Sequence, residues 1–149
     1  MIIRRAVPSD AAVLDRLMHD SSAYRGEYSV MLQSYAVTAE QVTSDEVYVL
    51  EDANKILGFY SLTNLKSCPE LDLLFVADEA QGKHLGALLF EHMRQQAALL
   101  GASEVKIVAH PPAETFYLRM GATKTGVKPP SGRVTWSRPI LLLAVPGAS

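Results

Sequence analysis

Two periodicities run through the chain, and the places where one gives way to the other divide it into elements. Ile2 to Val7 is apolar with a basic centre and reads as a short strand. Pro8-Ser9-Asp10 stops it and supplies a helix N-cap. Ala11, Leu14, Leu17 and Met18 then recur at helical spacing, which predicts a helix over 10–19. Residues 21–35 hold Tyr24, Tyr28 and Tyr35 around Met31 and Leu32, and read as a second helix. The period then shortens to two. Glu46–Glu51 and Ile56–Leu65 flank the polar turn Asp52-Ala53-Asn54-Lys55, a hairpin pattern. Glu70–Val76 is a further strand, acidic at its start and apolar at its end, with Glu70 and Asp72 on one face by strict alternation.

Leu85, Leu88, Leu89, Met93, Ala97 and Leu100 return to the helical period and predict a helix of about four turns, closed by Gly101. Glu104–Ala109 reads as a strand, 113–120 as a short helix after His110-Pro111-Pro112, 122–127 as a strand, and 134–145 as containing the last strand. Strand, helix and strand around the long helix form a parallel right-handed βαβ unit. The pattern predicts an α/β fold: a mixed, largely antiparallel sheet with one parallel step and helices on both faces. A length of 149 residues suits one domain, over 1–149.

Composition narrows the function classes. The net charge of −2 offers no basic face for nucleic acid or an acidic membrane and weighs slightly against a strongly anionic acceptor. No apolar run is long enough to span a bilayer, and Met1-Ile2-Ile3-Arg4-Arg5 is unlike a signal peptide, so a cytoplasmic location is expected. The single cysteine, Cys68, excludes an internal disulfide and lacks the sequence neighbours that activate a nucleophile. His19, His84, His92 and His110 show no metal-ligand spacing, so no metal is expected. The apolar final strand offers an edge for a homodimer.

The segment Gln81-Gly82-Lys83-His84-Leu85-Gly86-Ala87 joins an apolar strand to the long helix. The first N–H groups of a helix lack internal partners and carry partial positive charge, so this turn suits an anion. Gly82 and Gly86 admit close approach, and Lys83 adds a cation. The segment matches neither the P-loop nor the dinucleotide fingerprint.

With Ala113-Glu114-Thr115-Phe116-Tyr117-Leu118-Arg119-Met120-Gly121 one strand further on, the chain resembles the GNAT superfamily of acyl-CoA-dependent N-acyltransferases. Gln81 and Gly86 match the family's Arg/Gln-x-x-Gly-x-Gly/Ala loop, with His84 in place of glycine. Ala113, Phe116, Tyr117 and Gly121 match its Ala-x-x-Phe-Tyr-x-x-x-Gly helix, with Ala122 in place of phenylalanine. Where the family often has asparagine near the preceding strand's end, this chain has His110.

The resemblance implies acetyl-CoA as cosubstrate and a small-molecule or peptide amine as acceptor. It places the cofactor along Leu74, Phe75, Val76, Gln81, Gly82, Lys83, His84, Leu85, Gly86, Ala87, Phe116 and Tyr117. The pantetheine arm is expected where Leu74–Val76 and Val108–His110 splay apart, with a backbone N–H near Phe75 or Val76 facing the thioester oxygen. Tyr117 is the expected acid for the leaving thiolate. An amine acceptor arrives as ammonium and needs a base. Glu70, with its pKa raised by Asp72, and His110 are the candidates. Tyr24, Tyr28, Glu70 and Asp72 are expected at the acceptor, where the tyrosines are either pocket wall or core. The loop 128–133 either shapes that pocket or is an ordinary turn. A Cβ at His84 either narrows the cradle or forces a negative φ, or else the imidazole adds a charge-assisted bond to the phosphates. A non-catalytic coenzyme A or nucleotide sensor of the same fold is the alternative function.

Overall fold

The computed structural model describes residues 1–24, 26–32 and 35–146. One seven-stranded sheet runs through it in the order β1-β2-β3-β4-β5-β7-β6. The strands are β1 Ile2–Arg5, β2 Glu46–Asp52, β3 Lys55–Thr63, β4 Glu70–Val76, β5 Glu104–Val108, β6 Thr123–Lys128 and β7 Arg138–Ala144. Only β4 and β5 pair in parallel; the other pairings are antiparallel. The helices are α1 Ala11–His19, α2 Ala39–Ser44, α3 Leu85–Leu99 and α4 Glu114–Arg119. The mixed sheet predicted from periodicity is therefore the observed one.

The sheet separates two cores. On one face α3 and α4 bury Leu89, Phe90, Met93 and Ala97 against Tyr60, Leu62, Val105, Ile107 and Leu141. On the other, α1 and α2 cover Val47, Val49, Phe59 and Phe75 with Leu14, Met18 and Val42. Each such side chain taken wholly out of water stabilises the fold by about 1.5–3 kcal/mol. Gly58 on β3 lets α3 seat closely, since a Cβ there would stand 2.8 Å from the Phe75 carbonyl oxygen and 3.0 Å from Leu89 Cδ1.

The fold departs from the periodicity in two places, and both lie near the site. Residues 21–35 do not form a second helix. The described part makes two short 3₁₀ turns, Ser22–Tyr24 and Gly26–Met31, and the helix comes later as α2. Its signature was present: Thr38 Oγ1 accepts from the Gln41 N–H, and the Gln41 side chain reaches back to the Thr38 N–H. The second difference is a bulge in β4. Ser61 pairs with Leu73 and Leu62 with Leu71, so Asp72 is the extra residue. Strict alternation would put Leu71, Leu73 and Phe75 on one face. The bulge instead sends Leu71, Leu74 and Val76 to the α3 side, and Leu73 and Phe75 to the α1 side.

Candidate functional site

The parallel step opens a gap in the sheet. Glu70 is in register with Lys106, whose N–H donates to the Pro69 carbonyl at 2.9 Å, and no pairing continues towards Leu74–Val76 and Val108–His110. Backbone direction follows from one bond. Ala77 N–H donates to Leu57 O on the β3 side at 2.8 Å. N–H groups alternate along a strand, so those of Val76 and Leu74 point into the gap. The Val76 carbonyl points the same way and accepts from Gln81 Nε2 at 2.9 Å, which ties the loop to the strand end.

A cavity of about 400 Å³ lies on the α3 side of this gap. Leu74, Val76, Gln81, Gly82, His84, Leu85, Gly86, Ala87, Phe116 and Tyr117 all line it. Among the described residues, no backbone N–H from 82 to 87 has a protein acceptor. Gly82 has φ +82° and His84 φ +59°, so both stand in the left-handed region and turn the chain into α3. The expectation of a negative φ at His84 is overturned. Its Cβ is accommodated in the conformation a glycine would adopt, at the energetic cost such a φ carries. The imidazole is exposed, makes no capping bond to α3 and borders the cavity. Lys83 is exposed and does not line it.

Tyr117 sits at the inner end, packed on Phe90 and Phe116 with ring centroids 6.0 and 5.3 Å away. Burial pushes its phenol well above the ordinary tyrosine range, and the nearby Tyr24 phenol adds to the shift. Tyr24 belongs to a second cavity, of about 260 Å³, on the other side of β4.

Glu70, Asp72, Phe75, Lys106, His110, Lys128 and Arg138 also line this second cavity. Phe75, expected on the cofactor side, is turned here by the bulge. Glu70 and Asp72 both line this cavity, and each has its own partner. Lys106 Nζ stands 4.0 Å from Glu70, and the Tyr35 hydroxyl donates to Asp72. His110 is buried, stacked on Tyr24 at 4.0 Å and met edge-on by Tyr28 at 4.6 Å. Its Nε2 lies 2.6 Å from the Ala23 carbonyl, so Nε2 carries the proton. Burial holds its pKa below the ordinary histidine value. Nδ1 is then an acceptor, buried and without a partner among the described residues. Burial also pushes Tyr24 up to about 12.

A third hollow, of about 530 Å³, lies beside α1 and β2. Its central cation is already paired, with Arg4 bonded to both Asp10 and Glu51. No buried polar side-chain atom there lacks a partner among the described residues, so it offers a ligand less than the paired cavities at β4.

The model of the "Acetyltransferase (GNAT) domain" family matches residues 19–131. The chain belongs to the GNAT acetyltransferase family. Solved GNAT structures share the fold at low identity. A GCN5-related N-acetyltransferase of Rhodopseudomonas palustris superposes with a TM-score of 0.78 at 18% identity, covering 96% of this chain and 94% of that one. The yncA protein of Salmonella typhimurium, solved with acetyl-CoA, gives 0.72 at 18% identity over 100% and 96% of the two chains. Among curated proteins, the 5-NmdU N-acetyltransferase of Pseudomonas phage PaMx11 is 29% identical over 134 residues, 85% of this chain and 89% of that protein.

The GNAT loop and the α4 tyrosine were legible as motifs. Tyr35 lay in the tyrosine stretch read as pocket wall or core, but its bond to Asp72 was not foreseen, and Trp136, Arg138 and the β4 bulge were missed as parts of the site. Trp136 packs edge-on against Tyr28 at 4.8 Å and so supports the ring that supports His110. A tryptophan next to a Pro/Gly loop was the signal available, and no spacing rule ties it to Tyr28. No helix among the described residues is long and apolar enough to cross a membrane.

Proposed function

We propose that this protein is an N-acetyltransferase that carries an acetyl group from acetyl-CoA to a primary amine, by direct attack with both substrates bound. The carrying observation is the juxtaposition of the 400 Å³ cavity, floored by unpartnered N–H groups, with the 260 Å³ cavity that holds Glu70, Asp72 and His110 across the β4–β5 gap. The residues fit the cosubstrate. A Cβ at Gly86 would stand 3.6 Å from the Phe116 ring and occupy space at the cavity wall, which glycine leaves open.

When bound, acetyl-CoA supplies an activated thioester carbonyl and a thiol leaving group. The N–H groups of 82–87 hold its phosphates, with His84 beside them. The Val76 N–H, directed into the gap, faces the oxygen on which negative charge grows. Tyr117 stays a phenol at neutral pH and offers its proton to the departing sulfur. Burial makes a free tyrosinate costly, so that proton must be replaced from the amine as it is released. Glu70 accepts the amine's proton, and Asp72, held by Tyr35, anchors the ammonium. Neutral His110, its Nε2–H fixed on Ala23, keeps Nδ1 as a second acceptor. Tyr24 completes the wall, and Tyr28 supports His110 from behind it. Cys68 lies away from both cavities, which suits attack without an acyl-enzyme. The phage relative's name, 5-NmdU N-acetyltransferase, adds 5-NmdU to the amines worth assaying.

The test is thiol release from acetyl-CoA against a panel of amines. Wild type is expected to turn over at least one. Tyr117→Phe should lower kcat by about a hundredfold, the usual size of a lost general acid, with the KM for acetyl-CoA little changed. Binding of coenzyme A with no turnover of any amine, and no effect of Tyr117→Phe, would point to a sensor.

A further inference from the structure

The acceptor cavity carries a feature that amine recognition alone leaves unused. Three cations, Lys106, Lys128 and Arg138, face two carboxylates, Glu70 and Asp72, in a protein whose net charge is −2. Lys106 is accounted for by Glu70. Lys128 and Arg138 are not: among the described residues neither forms a salt bridge. They are, moreover, directly opposed in the β6–β7 register, Lys128 across from Arg138. Like charges placed opposite one another on adjacent strands are destabilising. The Arg138 Nε–H is buried and has no hydrogen-bond partner among the described residues. Such an orphaned donor calls for an explanation, since buried polar groups are nearly always satisfied. The Tyr24 phenol feels Arg138 and Asp72 with opposite sign, so acidic and basic groups both act on the middle of the cavity.

We infer that the amine acceptor also carries an anionic group, a carboxylate or a phosphate, held by Arg138 and Lys128 while its ammonium faces Glu70 and Asp72. This rests on the acetyl-transfer reading and gives it a substrate class. A guanidinium fork matches either anion in two-point contact, and a bound anion would relieve the opposed cations and satisfy Nε–H together. The whole-chain charge, which weighs against an anionic acceptor, is a poor guide here because the cations are gathered at one wall.

The experiment uses one 2-aminoethyl group bearing a hydroxyl, a carboxylate or a phosphate: ethanolamine, β-alanine and O-phosphoethanolamine. Wild type should favour at least one anionic form over ethanolamine by about tenfold or more in kcat/KM, the scale of one charged hydrogen-bond contact. In Arg138→Gln that ratio should collapse towards one, chiefly through the acceptor KM, and Arg138→Lys should restore part of it. A loss of fold would lower all three rates together and leave the ratio in place. Equal use of ethanolamine by wild type, or an unchanged ratio in an Arg138→Gln protein whose Tm matches wild type, overturns the inference; whichever anion is preferred identifies the source.

A second readout needs no turnover. With the cofactor cavity saturated by coenzyme A, O-phosphoethanolamine or β-alanine should raise the Tm of wild type more than ethanolamine does, and not that of Arg138→Gln. If this protection appears and no amine is acetylated, the anion site stands and the transfer reading fails. If neither protection nor anion preference appears, the inference is wrong.

Discussion

On the α3 side of β4, the cavity is made from residues 74–87 and the start of α4, two stretches that are each continuous in sequence. On the other side, the lining comes from Tyr24, Met31, Tyr35, residues 70–73, Phe75, Lys106, His110, Lys128 and Arg138. The first wall offers mostly backbone, and backbone N–H groups are the same whatever the side chain. The second offers side chains: two carboxylates, three cations and a run of stacked rings. A shared cosubstrate can be held by the first kind of surface while the second is rebuilt for a new acceptor. Alternation along β4 makes the division, and the bulge at Asp72 sets its phase, so that Leu74 and Val76 face one cavity and Phe75 the other.

The largest expected effect tests whether the acceptor side does chemistry or only binds. Glu70→Gln keeps the shape and hydrogen-bonding reach of the side chain and removes its capacity as a base. The expected fall in kcat is about a hundredfold near neutral pH, partly recovered at alkaline pH as free amine becomes available. The KM for acetyl-CoA should hold. A kcat within a factor of two of wild type would remove Glu70 from the mechanism and leave His110 Nδ1 as the acceptor. Because Lys106 is Glu70's neighbour at 4.0 Å, Lys106→Met is a useful companion for separating positioning from proton transfer.

Legibility followed the same division. The strand-loop-helix run around Gln81–Ala87 could be read because periodicity and glycine placement are local, and the α4 motif was read by resemblance. The mixed sheet and its one parallel step were also readable, since hairpin and crossover follow local rules, whereas the insertion of β7 between β5 and β6 follows from no local pattern. The acceptor wall was only half readable. Glu70 and Asp72 were found, but alternation alone paired them, and a one-residue bulge gave each its own partner. Arg138 and Lys128 meet only through the β6–β7 register, and Tyr35 reaches Asp72 from 37 residues away. Residues 21–35 misled because tyrosines at helical spacing satisfy the same pattern as a helix. In the fold, Tyr24 and Tyr28 instead face His110 from separate 3₁₀ turns.

A smaller effect probes the cofactor side, where His84 stands at φ +59°. His84→Gly removes the Cβ from a left-handed position, so stability to denaturant should rise by about 1 kcal/mol. If the exposed imidazole also contacts the phosphates, the KM for acetyl-CoA should rise a few-fold in the same variant. The opposite signs make the result informative. A lower KM alongside greater stability would mean that the ring obstructs the cradle it borders.

The smallest effect belongs to His110 and concerns stability. Burial lowers its pKa in the folded protein, while the unfolded chain retains the ordinary value of about 6.5. Below that pH the unfolded chain binds a proton that the folded one refuses. The contribution is therefore fully present above about pH 6.5 and is lost as the pH falls towards the folded value. One such proton gives a slope of at most about 1.4 kcal/mol per pH unit. His110→Phe keeps the ring between Tyr24 and Tyr28 and removes the titration, so the fall in Tm from pH 7 to 5 should become shallower. His92, also lowered by burial and bonded to Tyr60 at 2.8 Å, would account for part of what remains. An unchanged slope in His110→Phe would mean that Nδ1 takes up a proton in the folded protein at its ordinary pH. In that case the stacked ring is a better base than its burial implies, and the division between a binding wall and a catalytic Glu70 would have to be redrawn.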